Sequence, residues 1–306
     1  MAQLVTGLTM PELPEVETVK RGLEPILLGQ TIAKVLLRRA NLRFPFPPDF
    51  ATKLVGAKVL SLTRRAKYIL IDLDNNHTLI SHLGMTGRFT ALKPEGEGTN
   101  LGEFYFETGA NPKADGPHDH VVFTLANGVR LVYSDPRRFG MMDLVTTSEL
   151  ANHKLLKNIG VEPLGNELNA EYIVQKFKDK SAPLKAALLD QRIIAGLGNI
   201  YVCEALHRAK LSPRRKAGTL VKTKTHDPRL DDLLRHIKDI LNDAIRAGGS
   251  TLQDFAGADG EKGAYQQRFS AYDRETENCG NLGCIGQIKR IAQAGRSTFY
   301  CPTCQK

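Results

Sequence analysis

Four of the chain's five cysteines crowd into its last 28 residues, as Cys279, Cys284, Cys301 and Cys304. Their spacing, C-x4-C-x16-C-x2-C, brings two pairs of soft thiolate ligands together around a tetrahedral ion. Disulfides are rare in reducing compartments, so the pattern predicts one structural zinc ion. Four thiolates would close its shell and leave no position for a catalytic water. Cys203 stands apart and reads as a small buried residue on a helix. A second concentration of chemistry is Met10-Pro11-Glu12-Leu13-Pro14-Glu15-Val16-Glu17-Thr18-Val19, which sets two prolines among three carboxylates. Taken alone this is an acidic helix start, with Pro14 in the first turn and carboxylates at the positive end of the helix dipole. The third feature is charge. Lys and Arg number 42 against 33 Asp and Glu, a formal +9. Arg208, Lys210, Arg214, Arg215, Lys216, Lys222 and Lys224 lie in one stretch without an acid, and residues 285–306 are also acid-free. Beside a zinc module, two such stretches favour contact with phosphates.

The elements that must position these residues change character along the chain. Residues 31–39, 54–62, 66–73 and 77–83 are short runs of Val, Ile and Leu between polar or Gly-containing turns, the pattern of an antiparallel sheet or sandwich. Around Asn127-Gly128, the runs Val121–Leu125 and Val129–Val132 predict a hairpin with a type I′ turn. Residues 94–119, rich in Gly, Pro and Glu, read as a loop. Past about residue 148 the apolar period becomes three to four, clearest at Leu230, Leu233, Leu234, Ile237, Ile240, Leu241 and Ile245. Gly248-Gly249 stops that helix, and Pro213 is expected to end an earlier one that begins near Asn199. Leu184–Pro213 reads as helix, tight Gly-Leu-Gly turn, helix, whose bare backbone amides near Gly198 and Asn199 could approach a phosphate. No apolar run approaches the ~18 residues that span a bilayer, and the N-terminus carries no convincing secretory or transit signal. A cytoplasmic protein is therefore expected.

The N-terminal segment resembles the start of bacterial formamidopyrimidine-DNA glycosylases, base-excision repair enzymes for oxidised purines. The resemblance continues in order through Arg65-Ala66-Lys67-Tyr68, His82-Leu83-Gly84-Met85-Thr86-Gly87, Asp135-Pro136-Arg137-Arg138-Phe139-Gly140, Gly196-Leu197-Gly198-Asn199-Ile200-Tyr201 and the four-cysteine finger. It implies that Pro11 is the nucleophile, as a secondary amine freed by removal of the preceding methionine. Glu12 would then be general acid and proton shuttle, with Glu15 in support, and Lys67 the proton donor in β-elimination. Arg296, on the hairpin between the cysteine pairs, would serve δ-elimination and phosphate binding. Met85, Arg137 and Phe139 match the side chains that fill the gap behind an extruded nucleotide. From the residues alone, Met85 and Phe139 would be core and Arg137 a surface charge, although their Gly- and Pro-containing flanks favour exposed loops. His82, His118, Lys180, Lys185 and Asn199 match positions near DNA. Residues 250–274 match the family's loop over the everted base, with Tyr272-Asp273-Arg274 where many relatives have Gly before Arg.

The expected fold is α+β: an N-terminal β-sandwich domain with an N-terminal helix (10–147), a helical helix–two-turns–helix domain (148–268) and a four-cysteine zinc finger (269–306). Residues 1–9 form an extension. While it is attached, Pro11 is an amide whose lone pair is delocalised, and it cannot attack anything. An upstream start assignment with Met10 as the true initiator fits this best; processing, or an inactive protein, is the alternative. Three functions follow: a bifunctional glycosylase/lyase for oxidised purines, an oxidised-pyrimidine enzyme of the endonuclease-eight branch, and a zinc-dependent DNA-binding relative without catalysis. Damaged double-stranded DNA is the expected partner. No membrane or obligate protein partner is inferred, and a monomer suffices.

Overall fold

Leu13–Leu27 form helix α1. Pro14 sits in the first turn, where a missing N–H is no loss. Glu12 and Glu15 close a reciprocal capping box, the Glu12 N–H donating to Glu15 Oε2 at 2.9 Å. Val16, Val19 and Leu23 then face one way and are buried. The computed structural model describes residues 10–92, 98–101, 116–221, 226–250 and 264–306. These form two compact units, one of residues up to Lys157 with Ala247–Gln266, the other of Asn158–Arg246 with Gln267–Lys306.

In the first unit α1 is followed by β1 (Ile32–Leu37), α2 (Phe50–Leu54), β2 (Val59–Arg65), β3 (Tyr68–Leu73), β4 (His77–His82), β5 (Arg88–Leu92), β6 (Gly98–Leu101), β7 (Asp119–Leu125), β8 (Arg130–Ser134) and β9 (Met141–Thr146). The strands make two antiparallel sheets, ordered β1-β7-β8-β5-β6 and β2-β3-β4-β9. Ile69, Ile71, Leu79, Phe89, Val121, Phe123 and Leu131 pack with the apolar face of α1 into one core. Each such side chain contributes about 1.5–3 kcal/mol relative to exposure, which makes the expected sandwich.

Several local expectations are corrected. The strand expected over 54–62 begins at Val59, because Phe50 and Leu54, four apart and both buried, instead form the short helix α2. The strand expected from residue 66 begins at Tyr68. Ala66 and Lys67 are a two-residue turn closed by the Arg65–Tyr68 pair, with Ala66 at φ 53°. The hairpin at Asn127-Gly128 is present, but its turn is not type I′. Only Gly128 is left-handed there, at φ 86°, and its N–H donates to Leu125 O, so a type I turn runs into a glycine bulge. Within the expected loop 94–119, Gly98–Leu101 pair with β5 and Asp119 opens β7; residues 93–97 and 102–115 lie outside the described residues.

The second unit holds α3 (Ala170–Phe177), α4 (Leu184–Leu189), α5 (Asn199–Arg208), α6 (Arg229–Arg246) and a hairpin of β10 (Lys289–Gln293) and β11 (Arg296–Tyr300). All seven periodic residues of α6 are buried, and the helix ends before the left-handed Gly248 and Gly249. α5 stops at Arg208, short of Pro213, because Lys210 at φ 53° already turns the chain. Cys203 is buried on α5 as expected.

Candidate active site and nucleic-acid interface

Pro11, Glu12 and Glu15 are all buried at the start of α1. Besides the cap, Glu15 Oε1 accepts the Ser250 N–H at 2.8 Å and its hydroxyl at 2.9 Å, so one carboxylate ties the head of the helix to the chain after α6. Gly249 permits this approach: at φ 91°, an added Cβ would lie 3.2 Å from the Glu15 side chain. Met10 lines a groove of about 490 Å³ together with Arg43, His82, Met85, Arg137 and Phe139. The residue preceding Pro11 therefore shares a space with the three side chains expected to fill a gap in DNA.

The loops carrying those side chains are held by a buried acid. Asp135 Oδ1 accepts the Thr86 hydroxyl, Thr86 Oγ1 accepts the Arg137 N–H at 3.1 Å, and Asp135 Oδ2 accepts the Gly140 N–H at 2.7 Å. Gly84 lets the loops touch, since a Cβ there would come within 2.3 Å of the Phe139 backbone. Phe139 is 42% exposed and Arg137 is exposed, its guanidinium 4.9 Å from the Phe139 ring centroid; Met85 is half-buried. The core placement that composition alone assigns to Met85 and Phe139 is thus overturned.

Lys67 is nearly buried in the β2–β3 turn, and its charge reaches His82. Burial, with Lys67 and Arg43 nearby, pushes the His82 imidazole down to about 4. His82 is therefore neutral at pH 7, and its Nδ1 accepts the Gly84 N–H at 3.0 Å. His118 is exposed where the chain enters β7, and its carbonyl accepts the Asp135 N–H.

In the second unit, Gln191 fixes the turn between α4 and α5: its amide donates to Leu189 O and Leu197 O and accepts from the Gly196 N–H. Asn199 opens α5 and donates to Ser297 O at 3.0 Å. Lys185 is 1% exposed, its ammonium donating to the same carbonyl at 3.0 Å and to Thr298 Oγ1 at 2.6 Å. It is thus no surface residue, because a carbonyl and a hydroxyl of the hairpin accept its hydrogens. These bonds seat the strand that begins with Arg296, which is exposed beside the hairpin tip at Ala294-Gly295. Lys180 is half-buried in a groove of about 880 Å³ that Lys178 and Lys216 also line.

The Sγ atoms of Cys279, Cys284, Cys301 and Cys304 lie within 4.8 Å of one another. Cys279–Cys304 and Cys284–Cys301 are each 3.7 Å apart, against the ~3.8 Å that tetrahedral zinc–sulfur bonds of about 2.3 Å require. The four thiolates fit one structural zinc ion.

The sequence alone gives no role to Asp135, Glu204 or His207. Glu204 is fully buried on α5 and accepts the N–H groups of Ser270, Ala271 and Tyr272. Burial raises its carboxyl pKa, and the three amides counter part of the rise. The signal available in the sequence was a lone acid in the middle of the apolar run Ile200–Leu206. Asp273, where the resemblance leads one to expect glycine, adopts φ 59°, a left-handed position that Asp tolerates. Of the loop expected over the everted base, residues 251–263 lie outside the described residues.

The proline-led helix on its β-sandwich, the glycine turn that opens a helix and the four-thiolate finger are each matched by a family of known proteins. The formamidopyrimidine-DNA glycosylase N-terminal domain matches residues 10–142, the H2TH domain of the same enzymes residues 159–256, and the zinc finger found in FPG and IleRS residues 286–306. The chain belongs to the formamidopyrimidine-DNA glycosylase family, which carries glycosylase and abasic-site lyase activities. It is 54% identical to the formamidopyrimidine-DNA glycosylase of Methylobacterium sp. (strain 4-46), over 97% of this chain and 99% of that one. Identity to the Rhizobium johnstonii enzyme is 55%, over 97% and 100%. Among solved structures, Lactococcus lactis Fpg in complex with abasic-site DNA superposes with TM-score 0.78 at 31% identity, covering 97% of this chain and 100% of that one. MutM (Fpg) of Thermus thermophilus gives 0.78 at 36%, covering 96% and 98%. Among the described residues no helix is long and apolar enough to cross a membrane.

Proposed function

We propose that the chain excises oxidised purines, 8-oxoguanine and formamidopyrimidines, from duplex DNA and cuts the resulting abasic strand by β- and then δ-elimination. The observation that carries this reading is the groove shared by Met10, Met85, Arg137 and Phe139. The Lactococcus complex with abasic-site DNA supports it.

With Met10 removed, Pro11 is a free secondary amine that attacks C1′ of the extruded nucleotide. The N–C1′ bond forms as the glycosidic bond breaks and the base leaves with a proton. Opening of the sugar ring follows, with Glu12 delivering a proton to the ring oxygen. The resulting iminium is cationic because proline nitrogen has no second proton to lose. It draws electrons from C2′, whose proton is lost as the 3′-phosphate leaves with a proton supplied through Lys67; δ-elimination then removes the C4′ proton and expels the 5′-phosphate beside Arg296, and water hydrolyses the iminium to free Pro11. Met85 and Phe139 replace lost stacking, and Arg137 bonds the orphaned cytosine. His118, Lys180 and the amides near Asn199 hold phosphates, whereas Lys185 acts through the hairpin and neutral His82 through its loop. Function divides as residues 10–147 for chemistry, 148–268 for grip and 269–306 for placement of Arg296. When bound, zinc supplies a structural crosslink only. The protein works as a monomer, in the cytoplasm and on the nucleoid.

The test treats the full chain and a Met10-start form, each of verified N-terminal mass, with 8-oxoguanine duplex and borohydride. A covalent adduct through Pro11 in the short form is expected, with none while residues 1–9 remain attached. No adduct in a folded, processed, zinc-loaded short form would leave a DNA-binding protein without this chemistry. Adducts on oxidised-pyrimidine duplex alone would move the chain to the endonuclease-eight branch.

A further inference from the structure

His207 lies in the last turn of α5, is 1% exposed, and has no part in the chemistry above. Its Nε2 is 3.2 Å from Cys279 Sγ. The proton assignment follows from the neighbours. Asn281 Nδ2 lies 3.1 Å from His207 O and 3.3 Å from Cys304 Sγ, and these two acceptors use the two hydrogens of the amide. The same amide nitrogen is 3.2 Å from His207 Nε2 and has no third hydrogen to offer it. His207 Nδ1 meets no hydrogen-bond partner among the described residues. A proton on Nδ1 would therefore bury a donor with no acceptor and turn an Nε2 lone pair toward a thiolate. A proton on Nε2 leaves only an acceptor unmatched and points the N–H at sulfur.

Four thiolates around one divalent cation carry a net charge of −2, and Cys279 and Cys301 are buried. Hydrogen bonds to the sulfurs are the means this site has to offset that charge, and the Gly286 N–H already faces Cys284 Sγ at 3.4 Å. We propose that His207 and Asn281 form an outer shell of the zinc site, with His207 donating to the zinc-bound Cys279 thiolate, so that α5 controls how tightly the finger holds its ion. The inference rests on the four cysteines binding zinc, and it makes His207 a positioning residue whose partner lies 72 positions away in the chain.

The test measures zinc affinity of the full chain by competition with a chromophoric chelator, for the parent protein, His207→Phe and His207→Gln. Phe fills the space without a donor, whereas the Gln side-chain amide can set an N–H where Nε2 stands. Loss of an outer-shell partner typically costs 10–100-fold in metal affinity. A loss of about that size is expected for His207→Phe, with recovery to within about threefold of the parent for His207→Gln. In the cobalt(II)-substituted protein, the sulfur-to-metal charge-transfer band should shift for Phe and return for Gln, a change that packing alone would not produce. Unchanged affinity in His207→Phe overturns the proposal. Equal weakness of Phe and Gln, with the band unmoved, also overturns it by assigning the loss to packing. A parent chain that takes up no zinc removes the zinc reading itself, and this inference with it.

Discussion

Burial lowers the proton affinity of His82 most, and the charges of Lys67 and Arg43 lower it further. The imidazole stands at about 4 against 6.5 in the unfolded chain, so between those values the unfolded state binds more protons. The stability this group contributes is complete above pH 6.5 and is lost as the pH falls toward 4. Parent and His82→Gln proteins should therefore differ in the slope of unfolding free energy with pH only below about 6.5, by up to ~3 kcal/mol across the window. Denaturant unfolding at pH 7.5, 6 and 4.5 checks this, and parallel curves for the two proteins would contradict it. Lys67→Met should raise the His82 pKa without restoring 6.5, because its charge is the smaller cause; an NMR titration of the ring reads the shift directly. A value left at about 4 would show that Lys67 does not act on His82 electrostatically.

The two loops that carry Met85, Arg137 and Phe139 behave as one element because Asp135 and Thr86 join them. Thr86→Val keeps the shape and removes the hydroxyl that links Asp135 to the Arg137 amide. A lost hydrogen bond to a charged group is worth about 1.5–3 kcal/mol, so excision of 8-oxoguanine should fall ~10–100-fold in kcat/KM. Cleavage of a preformed abasic site, which unstacks at less cost, should fall much less. Equal losses on both substrates would mean that the pin supports the fold and not extrusion. Thr86→Ser should recover most of the activity. The motifs containing these residues were legible in the sequence, but the pin was not, because Thr86 and Asp135 meet only when the strands that flank them take their register. The same limit explains Lys185, whose burial depends on a hairpin more than 100 residues away. Local signals fared better: cysteine spacing, the apolar period of α6 and the position of the Asn127-Gly128 hairpin each need only neighbouring residues. Where the local signal was short, as in the five residues of α2, or depended on which turn residue takes positive φ, it was misread.

Across the whole molecule, the finger proves to be less a tail than a part of the helical unit. Lys185 and Asn199 bond the β11 backbone, Glu204 receives the three amides of Ser270–Tyr272, His207 meets Cys279, and Gln305 donates to Leu211 O while the Ser212 N–H donates to Lys306 O. The sandwich has its own continuous core of α1 and both sheets. Two such units should respond separately to a local perturbation, because sub-global opening follows cooperative packing and not chain order. Removing zinc with a chelator should therefore raise amide exchange in β10 and β11, in residues 269–272 and at the start of α5, and leave β3, β4 and β7 as protected as before. Binding to undamaged duplex should weaken in step, since Arg296 loses the strand that seats it. Hydrogen-exchange mass spectrometry of the zinc-loaded and stripped chains makes the measurement. Exchange confined to the finger would show that the bonds from α4 and α5 are too weak to carry the disturbance. A uniform rise would show that zinc supports the sandwich as well, and the molecule would then be one cooperative unit.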